Sequence, residues 1–87
     1  MAFSVEIEKR CLREIKKLDK KTLQRAFRII EEDIAEDPYV GKALKGKYKG
    51  LYSYRFSEYR IVYEIHTRII SIVILRIAHR KDVYDGL

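Results

Sequence analysis

Tryptophan and asparagine are missing from this chain of 87 residues, which has only one cysteine, one proline, one methionine and four glycines. The lone Cys11 excludes an internal disulfide, and with only His66 and His79 to join it there is no cluster at metal-ligand spacing. So little glycine and proline, with no repeat or low-complexity tract, excludes collagen-like and linker-like chains. Long hydrophobic runs are lacking as well. The longest, Ile69 to Ala78, is broken by Ser71 and Arg76 and is too short to span a bilayer. The first residues, Met1-Ala2-Phe3-Ser4-Val5-Glu6, lack the basic head and apolar stretch of a signal peptide. A reduced, cytoplasmic setting, with no metal, no cofactor and no membrane, is the expectation. Scarce amides beside abundant Lys, Glu, Arg and Ile are also the bias of thermophile proteins.

What is present is charge. Apolar residues make up 47% of the chain and charged residues 37%, which suits a folded globule with a heavily charged surface rather than a disordered segment. The length fits one domain, 1–87, with a single modest core. The net charge of +6 is unevenly spread: Met1 to Gly41 holds nine basic and nine acidic residues, Lys42 to Leu87 ten basic and four acidic. All of the excess positive charge therefore lies in the second half. That is a one-sided basic footprint suited to a polyanion.

Phe3, Val5 and Ile7 alternate with Ser4 and Glu6, which predicts a short strand. Cys11, Leu12, Ile15 and Leu18, then Leu23, Phe27, Ile30 and Ile34, follow at the spacing of two amphipathic helices. Asp19 is the expected N-cap of the second, and Asp37-Pro38 ends it. Tyr39 to Gly50 reads as a loop carrying Lys42, Lys45, Lys47 and Lys49. Three strands are then predicted, Leu51 to Phe56, Tyr59 to His66 and Ile69 to Ala78, joined by tight turns at Ser57-Glu58 and Thr67-Arg68. The order β-α-α-β-β-β implies an α/β (α+β sandwich) fold. Its N-terminal helical hairpin is expected on one face of a four-stranded, mainly antiparallel sheet.

With Ser57 and Glu58 as the turn, Phe56 pairs with Tyr59 and Arg55 lies opposite Arg60 on the face away from the helices. Like charges so placed repel. An anion between them would relieve that through forked hydrogen bonds; the alternative is that Glu64 or Glu58 neutralises one of the two. The core face is assigned Tyr54, Phe56, Ile61, Tyr63, Ile65, Ile70, Ile72 and Ile74. By alternation Arg76 also falls on the core side, where it would snorkel. His79, Arg80 and Lys81 follow the last strand, and Tyr84 lies in a tail able to fold back beside the sheet.

Leu44-Lys45-Gly46, Tyr52-Ser53-Tyr54-Arg55, Tyr59-Arg60-Ile61-Val62-Tyr63 and Ile77-Ala78-His79-Arg80 with Val83-Tyr84 occur in that order. With them the sequence resembles RelE-type toxins of the RelE/ParE superfamily over nearly its whole length. The resemblance implies the same small α/β sandwich and a RelB-like acidic antitoxin as partner. It further implies a toxin of a type II toxin-antitoxin system, a ribosome-dependent endonuclease that cuts mRNA in the ribosomal A site. ParE-type relatives poison DNA gyrase instead, which is the alternative.

Carried over by that resemblance, Arg60 supports the phosphate and transition state, Arg80 stabilises charge and the leaving 5′ oxygen, and Tyr84 orients the substrate. Arg55 stands where many RelE proteins have a catalytic lysine, and Ser53 where a second lysine stands. These are departures with a chemical consequence. Attack by a neighbouring 2′-OH needs a proton removed, and a guanidinium is a poor general base. Acid-base help is worth roughly 10² to 10⁴ in rate, so another group carries the proton or catalysis rests on orientation and electrostatics. His79 is the candidate proton carrier, because imidazole titrates near neutrality. The expected site is thus Arg55, Arg60, Arg80, Tyr84 and His79, with Lys45, Lys47, Lys49 and Lys81 as RNA-binding residues.

Overall fold

Alternation in the first residues gives β1 (Ser4–Ile7), and helical spacing gives α1 (Lys9–Glu14), which tightens into a 3₁₀ turn at Ile15–Lys17. The computed structural model describes residues 2–87. Asp19 caps α2 (Lys20–Ile29), accepting from the Thr22 amide at 3.2 Å. Bonds from the Thr22 hydroxyl and amide hold the Asp19 carboxyl below its ordinary value of 3.8. α2 then widens into a π turn over Ile30–Ile34, where the Ala35 amide donates to Ile30 O at 2.8 Å. Before the sheet, Asp37-Pro38 opens a 3₁₀ turn, Pro38–Val40.

The stretch expected to be only loop contains a short strand, β2 (Lys42–Ala43), before β3 (Leu51–Phe56), β4 (Tyr59–His66) and β5 (Ser71–His79). The sheet therefore has five strands rather than four, in the order β1-β5-β4-β3-β2. β1 runs parallel to β5 and every other pairing is antiparallel. The α+β class and the helical layer are as expected. β2 escapes a periodicity reading because two residues give no alternation to count.

Apolar residues of the helices, among them Cys11, Ile15, Ala26, Ile30 and Ile34, pack against Phe56, Ile61, Tyr63, Ile72, Ile74 and Ile77. Burial in this layer pushes the Cys11 thiol up to about 11. Ile70 is the exception to the expected core face. It closes the β4–β5 connection in the left-handed region, with φ +50°, and is exposed.

Candidate functional site

The Ser57-Glu58 turn sets the register of β3 on β4, pairing Phe56 with Tyr59 and Arg55 with Arg60. Successive rows then cross the face away from the helices. One row runs Arg55, Arg60, Ala78; the next runs Lys42, Ser53, Val62, Arg76. Lys42 thus joins the arginines, and with Val40, Gly41, Ser53 and Tyr54 they line an open groove of about 360 Å³. Arg60 donates from Nη1 to Ser53 Oγ at 3.3 Å. Ser53 is itself buried, so its hydroxyl holds the guanidinium where a solvated side chain would wander.

Neither glutamate neutralises this pair. Glu64 Oε1 lies 2.6 Å from His66 Nε2, and Glu58 Oε2 lies 3.4 Å from His79 Nε2. Among the described residues no carboxylate comes within salt-bridge distance of Arg55, Arg60 or Arg80. The groove is a cationic concavity suited to an anion with several oxygens.

Arg80 continues the ladder by one residue, its amide donating to Glu58 O at 2.8 Å. Alternation from Ala78, the partner of Arg60, carries it to the arginine face. His79 falls on the other face, opposite Tyr59, with ring centroids 5.7 Å apart. It borders a separate groove with Glu14, Lys17 and Leu18, and its Nδ1 accepts from the Lys81 amide at 3.2 Å. The structure therefore does not bring His79 to the arginine groove. Strand alternation alone accounts for this, since adjacent residues 79 and 80 must face opposite ways.

Beyond β5 the tail folds back. Tyr84 stacks on Tyr48, with centroids 5.2 Å apart and planes 28° from parallel, and Lys47 Nζ sits 5.2 Å from the Tyr48 centroid. Tyr48 rides on a 3₁₀ turn, Gly46–Tyr48, that Gly46 opens at φ +65°. Lys45 and Lys49 flank that turn and, like Lys81 in the tail, are exposed. Tyr48 carries no motif that marks it in the sequence.

Arg76 does not snorkel on the core side. The register slips between Val62 and Tyr63, which pair with Arg76 and Ile74 and leave Leu75 as an extra residue. The bulge turns Arg76 into the Lys42–Val62 row, where it is 4% exposed. There it donates to the carbonyls of Val83 and Asp85 in the tail.

The model of the ParE toxin of type II toxin-antitoxin systems, parDE, matches residues 5–84. The chain belongs to this toxin family. Toxin RelG of Mycobacterium tuberculosis is 32% identical over 85 residues, covering 97% of this chain and 98% of RelG. A chain of the RelBE2 toxin-antitoxin complex from the same organism superposes with a TM-score of 0.86 at 30% identity, over 92% of this chain and all of that one. Isolated RelE toxin of Escherichia coli gives 0.77 at 21% identity, over 90% and 84% of the two chains, a likeness of fold. This RelE/ParE-superfamily toxin presents, on the face away from its helices, a groove beside the β2 edge that Lys42, Arg55 and Arg60 line with no carboxylate in salt-bridge distance of the two arginines among the described residues.

Proposed function

We propose that the toxin is a ribosome-dependent mRNA endonuclease. The observation that carries this reading is the opposed pair Arg55 and Arg60, with Lys42 beside them and no carboxylate partner. A cleft built only to be solvated would not stack like charges across a strand pair. In the reaction the 2′ oxygen attacks the adjacent phosphorus, the P–O5′ bond breaks as the P–O2′ bond forms, and the 2′ proton is lost as the 5′ oxygen gains one. The products carry a 2′,3′-cyclic phosphate and a 5′-hydroxyl. Arg55 and Arg60 grip the phosphate, Arg80 offsets charge on the leaving oxygen, and Tyr84 orients the nucleotide. Guanidinium groups stay protonated at physiological pH, so this chain's share is positioning and electrostatic stabilisation. A proton carrier then comes from water, from the ribosome or from a lysine of the 45–49 segment. Lys45, Lys47, Lys49 and Lys81 add backbone contacts to RNA. An acidic RelB-like antitoxin is the matching partner, because it would neutralise this cationic face.

Primer extension on an mRNA under translation tests the reading, with wild-type protein, Arg60→Ala, Arg80→Ala and a ribosome-free control. Cuts at codon positions that need ribosomes and weaken roughly 10²- to 10³-fold in either variant are expected, the cost of removing one preorganised charge-stabilising donor. An intact message after treatment with folded, antitoxin-free toxin would sink it. The second reading, inhibition of DNA gyrase without chemistry, is favoured by the ParE description of the matching family. Loss of supercoiling activity that survives Arg60→Ala would select it.

A further inference from the structure

Tyr84 lies in a segment with little regular structure, yet two arginine side chains, Arg10 far away in sequence and Arg76 in β5, grip the backbone on either side of it. Arg10 of α1 donates from Nη1 to Gly86 O at 2.8 Å and from Nη2 to Asp85 O at 3.0 Å. Arg76 of β5 reaches Val83 O at 3.2 Å and Asp85 O as well. Glu14 lies between the two arginines, 3.6 Å from Arg10 Nε and 2.8 Å from Arg76 Nε. The closer contact is an ion pair off the hydrogen-bond line, and neither Glu14 Oε1 nor Arg76 Nε has a hydrogen-bond partner among the described residues. A guanidinium as buried as Arg76 is costly unless its charge is met. Here Glu14 meets the charge while the donors are spent on carbonyls.

We propose that Arg10 and Arg76, joined through Glu14, form a clasp that positions Tyr84 by holding the tail backbone at Val83, Asp85 and Gly86. The clasp rests, for its bearing on cleavage, on the reading of Tyr84 as the nucleotide-orienting residue. Backbone carbonyls are its targets, so it fixes the course of the tail rather than any one side chain in it. Gly86 suits the grip: at φ +73° it has left-handed geometry, and a Cβ there would strike the Arg10 guanidinium. With the backbone fixed on both sides, the Tyr84 ring is held against Tyr48, and the pair is rigid before RNA arrives. All three clasp residues touch the tail or each other, and none lines the arginine groove, so they are positioning residues.

The test uses Arg10→Ala, in which the partly exposed side chain is removed and the buried Arg76 is kept. Amide exchange is read at Asp85 and Leu87, whose N–H groups donate within the tail to Asp82 and Tyr84. Protection there should fall about tenfold, the worth of a charge-assisted hydrogen bond, while β4 and β5 amides keep theirs. Single-turnover cleavage at saturating ribosomes should slow about as much with ribosome affinity unchanged. Arg10→Lys should restore part of both, since an ammonium reaches one carbonyl where the fork reaches two. In a Tyr84→Ala background Arg10→Ala should slow cleavage no further. Unchanged tail protection, or an equal loss of rate with and without Tyr84, would overturn the clasp. Wild-type protein that cuts no mRNA would overturn the endonuclease reading alone, because exchange and the Tyr84 ring resonances still score the clasp.

Discussion

Tyr63 shows what one buried phenol does for the groove. Its hydroxyl donates to Pro38 O at 2.6 Å and accepts from the Gly41 amide at 3.1 Å, tying the turn before β2 to the centre of the sheet. A Cβ on Gly41 would collide with that oxygen, so glycine is required by close approach rather than by backbone angle. Burial pushes the phenol up to about 12 from its ordinary 10.0. The folded state thus keeps the proton longer than the unfolded chain does, and the bond's contribution is complete below pH 10 and is lost as pH climbs toward 12. Tyr63→Phe should cost about 1 to 3 kcal/mol at neutral pH by stranding a buried carbonyl and a partly buried amide. Denaturant melts of both proteins should then converge between pH 10 and 12. Single residues were unevenly legible. Arg55 opposite Arg60 followed from a two-residue turn and strict alternation, whereas the Tyr63 bonds join segments that no local pattern connects.

At the scale of elements, the places where the chain departs from expectation are those where a strand breaks its own period. Thr67-Arg68 reads as a tight turn, but the connection is a 3₁₀ turn, Thr67–Ile69, closed by Ile70 at φ +50°. A β-branched side chain in that region is strained, and nothing in the residue type announces it. Ile70→Asn should therefore raise stability by about 1 kcal/mol. The Ile70 carbonyl, which accepts from the Ser4 amide at 2.9 Å, is kept, and thermal melts would register the gain. A variant no more stable than wild type would mean that the exposed isoleucine makes compensating contacts. The Leu75 bulge acts similarly on β5. Every residue after it changes face relative to simple counting from Ile74, which moves Arg76 out of the helical layer and into reach of the tail. Both arginines of the clasp were visible as charges, but their purpose was not, since a carbonyl acceptor leaves no mark in a sequence.

Across the whole molecule the sequence asymmetry of charge becomes a spatial one. Lys42, Arg55, Arg60 and Arg80 come from the basic half and share one face, while Glu31, Glu32, Asp33 and Glu36 lie at the exposed end of the helical layer. If the proposed endonuclease reading holds, RNA binding should depend on salt through this face. For single-stranded RNA the double variant Arg55→Ala/Arg60→Ala should reduce the slope of log affinity against log salt by about 1.4, two phosphates' worth. The pair Lys16→Ala/Lys17→Ala, beside the helices, should leave the slope unchanged in the same titration. Chain topology adds a constraint of timing. Among the described residues β1 pairs with β5 alone, and Arg10 finds its carbonyls in Asp85 and Gly86. β1 must therefore wait for β5, made some sixty residues later. A nascent chain thus has no finished sheet edge and no seated Tyr84 until the tail itself has been made and has left the ribosome, so the groove's last neighbour is the last to take its place.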